Sequence, residues 1–192
     1  MSSNPFATRF IRPGAIPFLF LDGDSADAIF DRLRNHWWGQ IVGPHGSGKS
    51  TLLATLTPLI EAAGRSVLSL KIGPGERKLP PLDPTSLSPT TQIIIDGYEQ
   101  LSWWSRWKLH HVARGAKAGL LVTAHANVGF PTLYQTKPSE AVAQAVVERL
   151  TEAAGLPIPE AEISAAYHST GGDIRETLFK LFDVHQQRQS PQ

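Results

Sequence analysis

Nine consecutive residues, Gly43-Pro44-His45-Gly46-Ser47-Gly48-Lys49-Ser50-Thr51, constrain the fold of this chain more than any other feature. They fit the pattern G-x-x-x-x-G-K-[ST], which requires a strand before it and a helix after it. Both are present: the apolar run Trp38 to Val42 leads in, and Lys49 to Ala63 reads as a helix that stops near Gly64. In such a turn the glycines let backbone N–H groups close around a phosphate, Lys49 reaches the β- and γ-oxygens, and the Ser50 hydroxyl is a ligand for Mg²⁺. The helix N-terminus adds the positive end of its dipole. A turn that merely joined strand to helix would give Lys49 no packing role, so all nine residues are candidate nucleotide-binding residues.

The remaining pattern alternates strands with helices. Ser25 to Arg34 reads as a helix capped by Ser25, with Ala28, Ile29 and Leu33 on its apolar side. Ser66 to Ile72 is a second strand, and Thr91 to Ile95, ending in Asp96, is a β-branched run of the kind buried on both faces of a parallel sheet. A helix is predicted from Tyr98 to Ala113, a fourth strand over Gly119 to Ala124 and a short fifth one over Thr132 to Gln135. Between strands two and three, Gly73 to Pro89 is a long Pro/Gly-rich loop. After Lys137 only helices remain: Ser139 to Ala154, Pro159 to Tyr167 and Gly172 to Gln187, broken at Gly155 and at Gly171–Gly172.

The fold class predicted is α/β, a five-stranded parallel sheet covered by helices with a small C-terminal helical lid. The division is a nucleotide-binding core over 1–137, a lid over 138–187 and a frayed tail over 188–192. Ser2 to Pro17, interrupted by Pro5, Pro13, Gly14 and Pro17, reads as an extended arm anchored by Phe6, Phe10, Ile11 and Phe18.

Composition narrows the chemistry. The 192 residues contain no cysteine, which excludes disulfides, thiolate metal sites and a cysteine nucleophile and suits a cytoplasmic location. With 18 Lys+Arg against 17 Asp+Glu, no whole-protein field draws in nucleic acid, although a local basic patch stays compatible with that balance. Ala15 to Leu21 is too short to span a bilayer and runs into Asp22 and Asp24, so no membrane role is expected. His110 and His111 are adjacent and point apart on a helix, so no structural metal is expected there.

A second element completes the site. Gln92-Ile93-Ile94-Ile95-Asp96 delivers one carboxylate to the C-terminal edge of the sheet, where ligands of such folds bind, and Asp96 would hold the water shell of Mg²⁺. These residues resemble those of the P-loop NTPases of the additional-strand group, and more narrowly the AAA+ superfamily. The matches are GPHGSGKST at 43–51 with Walker A, QIIID at 92–96 with Walker B, and Ser169-Thr170-Gly171-Gly172-Asp173-Ile174-Arg175 with the sensor 2 segment of the lid.

The resemblance implies ATP and Mg²⁺ as ligands, with Arg175 pointing to the γ-phosphate and a polar sensor 1 residue in Leu121-Val122-Thr123-Ala124-His125. Thr123 or His125 would orient the attacking water, and the arm would set Phe6 or Phe10 against the base. Each has a plainer reading: Arg175 as an exposed helix residue whose turn Asp173 caps, His125 as a strand-end residue bonded to backbone, and the arm as packing.

The chain also departs from that family. Gly97 stands where the catalytic Glu follows the Walker B Asp, and the nearest carboxylate is Glu99, which is either the base or a first-turn helix charge. No arginine finger is identifiable, since only Lys137 lies near the fifth strand and Arg114 precedes the fourth, so no oligomeric state is implied. The Asn-Lys-x-Asp motif of GTP-specific switches is absent, which favours ATP, and an ABC-type signature would precede the Asp96 strand whereas Ser169 to Gly172 follows it.

Trp103, Trp104 and Trp107 cannot all face one side of the predicted helix Leu101 to Val112, so at least one is expected at the surface, as core overhang or as the anchor of a protein partner. Three functions fit these residues. The first is an AAA+-type ATPase that passes a conformational change to a partner. The others are a small-molecule or nucleotide kinase, with Arg65, Lys71, Arg77 and Lys78 around the long loop, and a nucleotide-dependent switch that does not hydrolyse.

Overall fold

The computed structural model describes residue 6, residues 13–152 and residues 157–189. Five strands, β1 (Trp38–Val42), β2 (Ser66–Lys71), β3 (Thr91–Asp96), β4 (Gly119–Ala124) and β5 (Thr132–Gln135), form one sheet in the order β2-β3-β4-β1-β5. Every pairing is parallel, in register from Trp38↔Leu120 on one side of β4 to Gln92↔Gly119 on the other. β4 therefore separates the strand that leads into the Gly-rich loop from the strand that ends in Asp96.

Strand alternation sends successive side chains to opposite faces, and the sheet has a core on each. Ile41, Ile94 and Leu121 pack with Ile29 and Leu33 of α1 (Ala26–Arg34) and with Leu52, Leu56 and Ile60 of α2 (Lys49–Ala62). Ile93, Ile95, Leu120 and Val122 pack on the other face with Leu109 and Ala113 of α3 (Trp103–Gly115). Both faces of β3 and β4 are buried, which is why those runs lack polar alternation. The predicted Ser25 cap is present, its Oγ accepting from Ala28 N at 3.1 Å.

Three further helices, α4 (Glu140–Glu152), α5 (Glu160–Ser169) and α6 (Ile174–Gln189), make a third cluster around Val147, Ile163 and Leu178. Phe6 is fully buried in it, against His185. The arm thus uses Phe6 as packing for the C-terminal helices. Phe10, Ile11 and the rest of the arm before Pro13 lie outside the described residues, as do Ala154, Gly155 and the tail from Ser190. Arg188 and Gln189, placed in the frayed tail from sequence, belong to α6, which continues to Gln189. Among the described residues no helix is long and apolar enough to cross a membrane.

The largest departure from the sequence reading lies after Asp96. In place of one helix from Tyr98 to Ala113 there is a 3₁₀ turn, Tyr98–Gln100, then Leu101 in extended conformation, then α3 capped by Ser102. Gly97 opens the 3₁₀ turn, and the helical run breaks at Leu101. The φ of Gly97 is +92°, and a β-carbon there would come within 2.5 Å of the Ile72 carbonyl oxygen, so the chain turns sharply only because residue 97 has no side chain. Gly97→Ala should lower stability by about 1–3 kcal/mol, through left-handed strain and the lost turn. The midpoint of urea unfolding measures this, and an unmoved midpoint would show that the turn can relax.

Candidate functional site

The loop between β1 and α2 is held from below by its own lysine. Lys49 Nζ donates to the carbonyls of Gly43 at 2.7 Å and Pro44 at 2.6 Å, which leaves one of its three protons for a ligand. Burial lowers the proton affinity of this ammonium, while Glu99, Asp96 and Asp173 each act to raise it. Ser47 Oγ donates to Pro44 O at 2.7 Å and shares a hydrogen bond with Thr136 Oγ1 at 2.6 Å. Thr136, one residue beyond β5, also sits so close to Gly43 that any side chain there would overlap it.

Asp96 meets α2 and β4 at once. Ser50 Oγ donates to Asp96 Oδ2 at 2.7 Å, and Thr123 Oγ1 donates to Asp96 Oδ1 at 2.7 Å while accepting from Gly97 N at 2.9 Å. Thr123 is fully buried, so its hydroxyl positions Asp96 and the Gly97 turn. A hydroxyl and a carboxylate side by side suit Mg²⁺, which keeps several waters and takes few protein ligands, so Ser50 and Asp96 fit the ion inferred from sequence.

The turn at Gly97 carries Glu99 back toward the loop. Glu99 Oε1 lies 3.4 Å from His125 Nε2, while its buried Oε2 has no hydrogen-bond partner among the described residues. Arg106 fixes the backbone that bears it, with Nη2 donating to Glu99 O at 2.8 Å and Nε to Leu101 O at 2.9 Å. His45 of the loop packs on His125, ring centroids 5.0 Å apart. Lys49, Ser50, Asp96, Glu99 and Thr123 are therefore gathered at one end of the sheet, with His45 and His125 beside them.

Arg175 is not among the charges that act on Lys49. It is exposed, with Cζ 5.6 Å from the centroid of the Phe179 ring, and its neighbour Asp173 is the residue that reaches the loop. Asp173 Oδ1 also accepts from Glu176 N at 3.0 Å, so the cap expected from sequence is present. The arm residue at the loop is Phe18, whose ring lies over Gly48 and packs edge-on against Phe20 and Tyr134. Phe18 N donates to Thr55 Oγ1 at 2.9 Å.

Sequence reasoning missed Thr136 and the places of Phe18 and Asp173 at the loop. No motif marks Thr136. Its place follows from β5 pairing beside β1, which sets Gln135 opposite Val42 and the next residue under the loop.

The indoles of Trp103, Trp104 and Trp107 are all exposed, at 67%, 68% and 54%, in a row of edge-on contacts that continues as Trp107 stacked on His111. His110 turns inward instead, its Nε2 3.1 Å from Tyr98 Oη. The loop Gly73 to Pro89 lies along α3, with Leu79, Leu82 and Leu87 against the core and Leu79 N donating to Ser105 Oγ at 3.1 Å.

A parallel sheet of this order, with a Gly-rich loop entering α2 and an acidic strand end two places away, is the fold of the P-loop NTPases. The chain is similar in structure to the Walker-type ATPase PABY2304 of Pyrococcus abyssi, with a TM-score of 0.57 and 14% identity over 88% of this chain and 68% of that one. At that identity the likeness is one of fold. No model of a known protein family and no curated protein matches the sequence.

Because Thr123 satisfies two partners at once, Thr123→Val should leave the Gly97 N–H and one Asp96 oxygen unpaired, at a cost of about 1–3 kcal/mol. Thermal unfolding of Thr123→Val beside Thr123→Ser measures this, with the serine variant expected to retain most of the stability.

Proposed function

We propose that the chain binds Mg-ATP on the loop Gly43 to Thr51 and hydrolyses it, as an AAA+-type ATPase that passes a conformational change to a protein partner. The observation that carries this reading is the meeting of Lys49, the Ser50–Asp96 pair and the half-buried Glu99 carboxylate at one end of the sheet, with the C-terminal helices touching the same loop. β4 between β1 and β3 sets Thr123 beside Asp96 at this end of the sheet.

In this reading the loop and the α2 N-terminus cradle the phosphates, and Lys49 neutralises charge on the β- and γ-oxygens. Mg²⁺ on Ser50 and Asp96 would supply further charge neutralisation. Glu99 is the general base: its Oε2, without a hydrogen-bond partner among the described residues, accepts a proton from the water that attacks the γ-phosphorus, and ADP leaves with inorganic phosphate as the second product. His125, beside Oε1, keeps the carboxylate oriented. The place left by Gly97 is thereby filled from two residues further along, because the 3₁₀ turn brings Glu99 back to the site.

The partner would meet Trp103, Trp104 and Trp107, which are exposed and whose helix is tied through Arg106 to the backbone of Glu99. A kinase would bring Arg77 and Lys78 over the phosphates. That long loop is instead bound along α3, and neither residue is among the charges acting on Lys49.

Phosphate release from ATP with Mg²⁺ by the purified chain, alone and with a panel of small acceptors, tests the proposal. Acceptor-independent release is expected, whereas ADP formation only with an acceptor would make the chain a kinase. Lys49→Ala should abolish ATP binding in calorimetry. Glu99→Gln should leave binding in place and slow release by about 10²–10⁴-fold, the usual contribution of a general base. An unchanged rate in Glu99→Gln would make Glu99 a bystander, and no release despite tight ATP binding would leave a switch.

A further inference from the structure

Asp173 stands where the C-terminal helices meet the phosphate loop. α5 ends at Ser169, Thr170-Gly171-Gly172 turns the chain, and α6 begins at Ile174 directly after Asp173. The carboxylate is fixed in place: Oδ1 accepts from Glu176 N at 3.0 Å, and the Asp173 carbonyl accepts the Thr177 N–H at 2.9 Å and the Thr177 hydroxyl at 2.7 Å. So fixed, it lies against Gly46, where a methyl group would overlap both carboxylate oxygens. Its charge acts on Lys49 from there. The cation two residues on, Arg175, is exposed over the Phe179 ring and is not among the charges that act on Lys49.

We propose that Asp173 is a charge-discriminating residue of the phosphate site, an internal anion that opposes nucleotide phosphates at Gly46 and Lys49. This deepens, and rests on, the reading of Gly43 to Thr51 as a nucleotide loop. Like charges brought together in a partly desolvated site repel, and the repulsion grows with the charge on the ligand. A triphosphate therefore meets more opposition than a diphosphate, and an uncharged nucleoside meets none. Because the carboxylate belongs to the helical unit α4–α6, any event that shifts this unit away from Gly46 raises the affinity of the loop. By the reciprocity of linkage, occupation of the loop by phosphate favours that shift.

Asp173→Asn tests this without removing the helix cap, since Asn caps as well as Asp. Calorimetry with Mg²⁺ and ATP, ADP or adenosine is expected to show ATP binding tightened by roughly three- to tenfold, ADP by less and adenosine not at all. Asp173→Ala should repeat the tightening while lowering the melting temperature, which separates charge from cap. Unchanged or weaker ATP binding in Asp173→Asn overturns the proposal, as does equal tightening of adenosine. Wild-type binding that is lost in Lys49→Ala but insensitive to Asp173→Asn removes this proposal alone. A wild-type chain that binds neither ATP nor pyrophosphate overturns the nucleotide-loop reading and this proposal with it.

Discussion

The carboxylate of Asp96 ties three elements into one site. One oxygen takes the hydroxyl of Ser50 at the start of α2, the other takes Thr123 on β4, and Thr123 in turn holds the amide of Gly97. Hydrogen bonds to an ionised acceptor are stronger than neutral ones, and this pair is half-buried, so the three elements are fixed relative to one another. The bonds exist because β4 lies between β1 and β3. Without β4 paired to β3, Thr123 would not stand beside Asp96, and its hydroxyl would not hold the Gly97 turn that brings Glu99 to the loop.

Around this node the charges are unequal. A single half-buried ammonium, Lys49, faces Asp96, Glu99 and Asp173, and burial works against its charge while the three carboxylates support it. A bare polyphosphate would meet more negative than positive charge here, which is the physical reason the proposed ligand is the magnesium complex. The same inequality gives the C-terminal helices their influence. They contribute an anion to the loop, and the arginine of the same turn lies on an exposed surface over Phe179.

Much of the fold was legible because hydrophobic period and punctuation agreed. The runs Trp38 to Val42, Gly119 to Ala124 and Thr132 to Gln135 became strands with those ends, and Ser25 capped its helix. Tyr98 to Ala113 was misread as one helix because no Gly or Pro interrupts it. The break falls at Leu101, which is extended between the 3₁₀ turn and the Ser102 cap, its carbonyl held by Arg106 of α3 at 2.9 Å. At least one of the three indoles was expected at the surface, and all three are exposed, since Leu109 and Ala113 give α3 its fully buried face.

By itself the sequence determined the strand–loop–helix that bears Lys49 and Ser50, the acidic end of β3 and the alternation that makes the sheet parallel. Each is a local matter of backbone freedom, side-chain chemistry and period along the chain. Tertiary structure decided what surrounds them. Thr136 props the loop because β5 pairs with β1, Phe18 covers Gly48 from the arm, and Glu99 returns beside His125. Asp173, and not Arg175, reaches Gly46. These contacts join residues up to 127 positions apart, from Gly46 to Asp173. Charge and hydrogen bonding act over a few ångströms in space, and only the folded chain sets which distant residues come that close.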